Sequence, residues 1–175
     1  FLYTFSDSSF SGIELQAMIG ENRTGGKNID VPLEFQDQHG YAVSLDGNRL
    51  AVGSRYYDTP GGGGTNIGKV FLYTNVFATG GGELAGRVGD NYTGTGYTGS
   101  TNIDTEVDLL INERFGKDIS LVDNMLAVVA WKGKGNSRSD DDGDVYLFNF
   151  NGTDDDGNYD FSDGGTLQAR IGKGW

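Results

Sequence analysis

The sequence predicts an all-β chain built by repeating a four-stranded antiparallel meander of roughly 70–75 residues. Three observations carry this. Three kinds of segment recur in a fixed order along the chain. Apolar residues fall in short, strand-sized runs between Gly-rich turns, with 30 Gly but only 2 Pro and an aromatic content of 12%. No apolar period of 3.6 runs for three turns, so nothing marks a helix.

The first recurring segment is Gly40-Tyr-Ala-Val-Ser-Leu-Asp-Gly-Asn-Arg-Leu-Ala-Val-Gly53. It aligns without gaps, 76 residues on, with Gly116-Lys-Asp-Ile-Ser-Leu-Val-Asp-Asn-Met-Leu-Ala-Val-Val129. Tyr41, Val43 and Leu45 share one face of the expected strand and Ala42 and Ser44 the other, and small residues on one face suit sheets stacked closely on a neighbour. Asp46-Gly47-Asn48 makes a tight turn, since Gly and Asn tolerate positive φ. Leu50–Gly53 is the return strand, nearly continuously apolar, as expected when both faces are covered. The second segment, Lys69–Thr74, ends in Phe71-Leu-Tyr-Thr, echoed by Phe1-Leu-Tyr-Thr4 and Tyr146-Leu-Phe-Asn149. The third is Glu83-Leu-Ala-Gly-Arg-Val-Gly89, echoed by Glu14–Gly20 and Thr166–Gly172. A smaller echo joins Asn28-Ile-Asp30 to Asn102-Ile-Asp104. The layout expected is therefore two outer strands within 1–20, full units at 40–89 and 116–172, and connecting loops at 21–39 and 90–115.

At these residues the sequence resembles the FG-GAP repeat, the blade of integrin-type β-propellers. Phe115-Gly116 stands where that repeat opens with Phe-Gly, and His39-Gly40 holds the same place with the Phe lost. Val52-Gly53-Ser54 and Val128-Val129-Ala130 stand at its Gly-Ala-Pro element without the Pro. Gly68–Tyr73 and Gly143–Phe148 look like its third strand. The resemblance implies four-stranded propeller blades, about two and a half of them. It also implies an extracellular or cell-surface setting, like that of the tandem arrays on large bacterial secreted or adhesin-like proteins. Integrin-type blades hold calcium between their first two strands, but here that connection is only Leu45–Asn48 or Leu121–Asn124, too short to wrap a cation.

Charge narrows the partners. The formal net charge is −12, so the basic footprint of a nucleic-acid binder is missing and an anionic membrane surface is disfavoured. Cysteine is absent, which excludes a disulfide framework or thiolate metal site. The longest apolar runs, such as Leu126–Trp131, are too short for a helical membrane span. A propeller needs at least about four blades to close, and two open blade faces would forfeit on the order of ten kcal/mol of burial. The chain is thus expected to be part of a longer polypeptide or to assemble with further copies of the repeat, as a ring or filament.

Candidate chemistry lies in the loops. Asp154, Asp156 and Asp160 around Gly157, and Asp140, Asp142 and Asp144 around Gly143, form two acidic clusters of the kind that can supply oxygen ligands to calcium, or simply a solvated acidic face. Tyr56, Tyr57, Tyr92, Tyr97 and Trp131 sit in or beside loops, as contacts for a glycan or protein ligand or as covers for blade edges. Asn22, Asn91 and Asn151 head glycosylation sequons. Gly61–Gly64 lacks the Gly-Lys-Ser/Thr ending of a phosphate loop and reads as a flexible connection. His39, the single histidine, has no orienting feature for a catalytic triad and is expected to pack in place of the lost Phe. The resulting expectation is a non-enzymatic structural or adhesion module. A calcium-dependent carbohydrate or protein binder is the alternative, and a glycoside-active enzyme fragment the distant one.

Overall fold

A computed structural model describes residues 1–33, 36–58, 66–89, 109–134 and 142–172, and the backbone of 101–104. Among these residues every regular element is a strand. Strands β1 (Leu2–Thr4) and β2 (Glu14–Ala17) form an antiparallel pair, the outer half of a first blade. Strands β3 (Ile19–Gly20) and β4 (Ile29–Asp30) pair in parallel. The second blade is β5 (His39–Asp46), β6 (Arg49–Ser54), β7 (Lys69–Thr74) and β8 (Glu83–Gly89), joined by β9 (Thr101–Asp104) parallel to β8. The third is β10 (Phe115–Val122), β11 (Met125–Ala130), β12 (Asp144–Asn149) and β13 (Thr166–Ile171). These are the antiparallel meanders expected of propeller blades.

The repeat extends to fine register. In each unit the third and fourth strands carry one bulge at the same place, between Leu2 and Tyr3, Leu72 and Tyr73, and Leu147 and Phe148. Each inner hairpin slips once, between His39 and Ala42 and between Phe115 and Asp118. The approach to each blade alternates in the left-handed region, with Gln36, Gln38 and Gly40 matched by Asn112, Arg114 and Gly116, all at φ between +53° and +87°. One expectation needs correction. The stretches 21–39 and 90–115 are not simply loops. Each contains a short parallel strand, β4 or β9, that returns beside the outermost strand of the preceding blade, with Ile19 opposite Ile29 and Val88 opposite Ile103.

The core lies between blades. Ala51, Val70, Leu72 and Val88 of the second blade meet Leu121, Leu126, Val128 and Phe148 of the third. Leu2 and Ala17 of the first meet Leu50, Val52, Phe71 and Tyr73 of the second. Strand β6 is buried throughout, as its continuous apolar run requires. The seam is stitched at nearly the repeat offset: Leu121 N donates to Ser44 Oγ at 2.9 Å and Asp123 N to Asp46 Oδ2 at 2.9 Å, 77 residues apart. Gly53 is fixed by this stacking, because any side chain there would run into the carbonyl of Gly116.

Candidate ligand-binding surface

At the end of the seam where β5 and β10 begin, three aromatics and three cations alternate in a closed circuit. The Arg55 guanidinium lies 3.7 Å from the ring centre of Tyr41 and 4.6 Å from that of Tyr56. Arg114 lies 4.9 Å from Tyr56 and 5.3 Å from Trp131. Lys117 lies 5.2 Å from Trp131 and 4.5 Å from Tyr41, closing the ring. Lys132 adds a fourth cation, 5.9 Å from Trp131. Repeat stacking brings these groups together: Tyr41 and Lys117 are equivalent residues of adjacent blades, and Lys117 Nζ donates to Tyr41 Oη at 2.7 Å. That hydrogen bond, with the charges of Arg55, Lys117 and Arg114, lowers the Tyr41 phenol pKa. Gln38 Oε1 accepts from Arg55 Nε at 2.8 Å and orients it. Tyr41 and Trp131 remain 43% and 48% exposed, so both rings reach solvent while the cations hold them in place. Four of the 13 cationic residues gather here, in a chain of net charge −12.

The opposite end of the same strands is acidic. A cleft of about 420 Å³ is lined by Asp46, Asp123, Asp154 and Asp160, with Tyr159 and with Arg49, which is paired to Asp46. The acidic residues proposed from sequence as cation ligands are engaged by their own loop. Asp154 Oδ1 accepts from the amides of Asp156 (3.0 Å) and Asn158 (2.8 Å), and Asn158 does most to lower its pKa. Thr153 pairs with Tyr159, so Asp154–Asn158 forms the tip of a small hairpin turned by Gly157. Asp160 Oδ1 accepts from Ser162 N (2.9 Å) and Oγ (2.7 Å). Asp156 and Asp142 are exposed. Asp144 departs from the expected loop cluster: it is buried, with Arg170 Nη2 at 2.9 Å, because it begins β12 rather than lying in the loop before it. Among the described residues no three Asp, Glu or His side chains converge to hold a metal ion.

Of the predicted contact aromatics, Tyr56 and Trp131 belong to the circuit. Tyr57 does not. It is half-buried, with its ring over Lys69 Nζ (2.9 Å to the centre) and edge-on to Phe71, so it covers an interior cation. Tyr92, Tyr97, Asp140, Asn91 and Gly61–Gly64 lie outside the described residues. Asn22 is exposed in a turn at φ +57°, and Asn151 is exposed shortly after β12. Sequence reasoning missed Tyr41, Arg55, Arg114 and Lys117. The usable signal was the offset itself, which sets position 41 beside position 117 once blades stack in register.

His39 is an interior group. Its Nδ1 lies 2.9 Å from Ser54 Oγ and its Nε2 3.2 Å from Tyr73 Oη, with the ring edge-on to Phe71 at 4.8 Å. Phe115 holds the same position in the third blade, edge-on to Tyr146 at 5.2 Å. Burial first, then the charges of Lys69 and of the Phe1 amino group, lower the His39 pKa to about 4 and keep it neutral. Ser54 is fully buried, while His39 is half-buried and lines the groove beside β1.

Residues 34–73 match the family model of the FG-GAP repeat. The matched stretch covers β5, β6 and β7 of the second blade, the region where His39-Gly40 and Gly68–Tyr73 carry the resemblance. No curated protein matches the chain. Among the described residues no helix is long and apolar enough to cross a membrane.

Proposed function

We propose that this chain is a non-enzymatic adhesion module of an extracellular or cell-surface protein, and that the cation–aromatic circuit is its contact for an acidic glycan. The observation that carries the reading is the alternation Tyr41–Arg55–Tyr56–Arg114–Trp131–Lys117 across one seam. Flat aromatic faces suit sugar rings, and flanking guanidinium and ammonium groups suit carboxylate or sulfate. A local basic surface on an acidic protein also gives a ligand of that charge one preferred place to dock. Ser54, the hydroxyl nearest His39, is fully buried, which supports a non-enzymatic role.

The test is binding to immobilised sulfated and uronic-acid polysaccharides beside neutral ones. Acidic glycans should bind, salt should weaken them, and Trp131→Ala and Arg114→Ala should each cost tenfold or more. Equal binding of acidic and neutral glycans, or variants that bind like the parent, would reject the reading. The second reading, a calcium-dependent binder, draws on the carboxylates around the cleft. It requires that a chelator abolish binding and that Asp154→Ala and Asp160→Ala do the same.

A further inference from the structure

Arg114, Trp131 and Lys132 sit on two segments that leave the third blade side by side. Strands β10 and β11 are last paired at Phe115 and Ala130, so the ladder does not fix what lies beyond. Glu113 does. Its N–H donates to Leu110 O at 3.1 Å, its carbonyl accepts from Lys132 N at 3.1 Å, and its Oε1 accepts from Lys134 N at 3.3 Å. The residue is 1% exposed. Arg114 follows at φ +58°, and its buried Nε has no partner among the described residues, so its direction is set from the backbone. Arg55, by contrast, is oriented through its Nε by Gln38. The same plan stands one unit earlier. Asp37, 76 residues before Glu113, is 4% exposed, and its carbonyl accepts from Tyr56 N at 3.4 Å. Each blade is thus preceded by a buried acid bonded to the turn that carries members of the circuit.

We infer that Glu113 is a positioning residue of the cation–aromatic circuit, which fixes Arg114 against Trp131 through the hydrogen bonds it accepts from the Lys132–Lys134 turn. The inference rests on the circuit being the ligand contact. Burying a carboxylate is costly, and Glu113 Oε2 has no hydrogen-bond partner among the described residues. The Arg170 charge offsets part of that cost and the Asp144 charge adds to it. An apolar side chain would fill the same space more cheaply, so packing does not account for the carboxyl. Its Oε1 does what an apolar group cannot. It holds the Lys134 amide and keeps the turn that bears Trp131 from swinging away from Arg114. A ligand then meets ring and charge already at a fixed spacing, with little left to order on binding.

The test separates position from charge. Glu113→Ala and Glu113→Gln remove the same negative charge from beside a basic surface, which by itself favours a polyanion. Only Gln keeps an acceptor for the Lys134 amide. Glu113→Ala should therefore bind dextran sulfate about tenfold more weakly than the parent, and Glu113→Gln at least as tightly as the parent. Glu113→Asp introduces the acid that the second blade uses at this place, one methylene too short to reach Lys134, and should lose affinity as Ala does. Trp131 gives a readout that needs no ligand. Trp131 and Trp175 are the two tryptophans, so a Trp175→Phe background isolates the first. Acrylamide should quench Trp131 about twofold more strongly in the Ala and Asp variants, where the turn opens more readily, and as in the parent in the Gln variant. Equal quenching in all four proteins would overturn the inference, as would an Ala variant that binds as tightly as Gln. A parent that binds no dextran sulfate while the quenching contrast holds would uphold the positioning role and reject the acidic-glycan reading.

Discussion

Replacing His39, Ser54 and Tyr73 together tests how a polar trio is held in one blade and dispensed with in the next. The third blade has Phe115, Ala130 and Phe148 at the equivalent places, so it fills the same space without a hydrogen bond. His39 has its pKa lowered from 6.5 to about 4 by burial and then by the Lys69 charge. Between those values the unfolded chain takes up a proton that the folded chain refuses, so stability is intact above pH 6.5 and falls as pH falls. The full loss below pH 4 is about 3 kcal/mol, at roughly 1.4 kcal/mol per pH unit. Between pH 7 and pH 5 it is about 2 kcal/mol. Glu113, whose pKa is raised chiefly by burial, acts in the opposite sense. It is common to both proteins, so the difference between parent and variant isolates His39. His39→Phe alone should remove the His39 share of the slope but cost about 1–3 kcal/mol at pH 7, because Ser54 Oγ and Tyr73 Oη lose their partner. The triple variant His39→Phe/Ser54→Ala/Tyr73→Phe should recover most of that loss and keep the same pH dependence as His39→Phe. Urea unfolding at pH 7, 6 and 5 measures all three. A parent with no slope beyond that of the triple variant would refute the reasoning, as would a triple variant no more stable than His39→Phe.

Three further outcomes are expected. Gly53→Ala should cost 3 kcal/mol or more by thermal unfolding, on the scale of severe steric substitutions (about 4–5 kcal/mol at the extreme), because the new methyl meets the Gly116 carbonyl at the seam. Arg170→Met should cost roughly 3–5 kcal/mol in denaturant unfolding by stripping the buried Asp144 of its guanidinium. Asp144→Val/Arg170→Met should cost less than that single change. Asp154→Ala should speed exchange of the Asp156 and Asn158 amides while leaving the melting temperature nearly unchanged, since it loosens only an exposed hairpin tip. An unaltered exchange pattern would mean that the tip is held by something other than that carboxylate.

Most strands were legible because the repeat compares the chain with itself. Alignment of Gly40–Gly53 with Gly116–Val129 located two inner hairpins, and the Phe-Leu-Tyr-Thr echo located three third strands. The parallel strands were not legible. Ile29–Asp30 and Thr101–Asp104 are too short for alternation to show, and their partners lie beside them only after the chain doubles back. Four of the six members of the cation–aromatic circuit were likewise hidden. Loop position singled out Tyr56 and Trp131, but Tyr41 and Lys117 lie on strands, and only stacking in register makes them neighbours. Tyr57 misled for the converse reason, since a loop residue can fold inward when an interior cation such as Lys69 needs an aromatic face. Asp144 misled because its counterpart is Lys69: a buried charge occupies the position in both blades, but its sign differs, so the echo gave no warning.

The parallel strand β9 also decides how the module bears load. Tension applied along the chain across the β8–β9 pair acts from the start of β8 to the end of β9, opposite ends of one parallel pair. Such a pull slides the two strands past each other and strains all their cross-links at once, where an antiparallel pair pulled from one end would open link by link. The pair thereby has the geometry of a shear clamp, and β3 and β4 repeat that geometry one unit earlier.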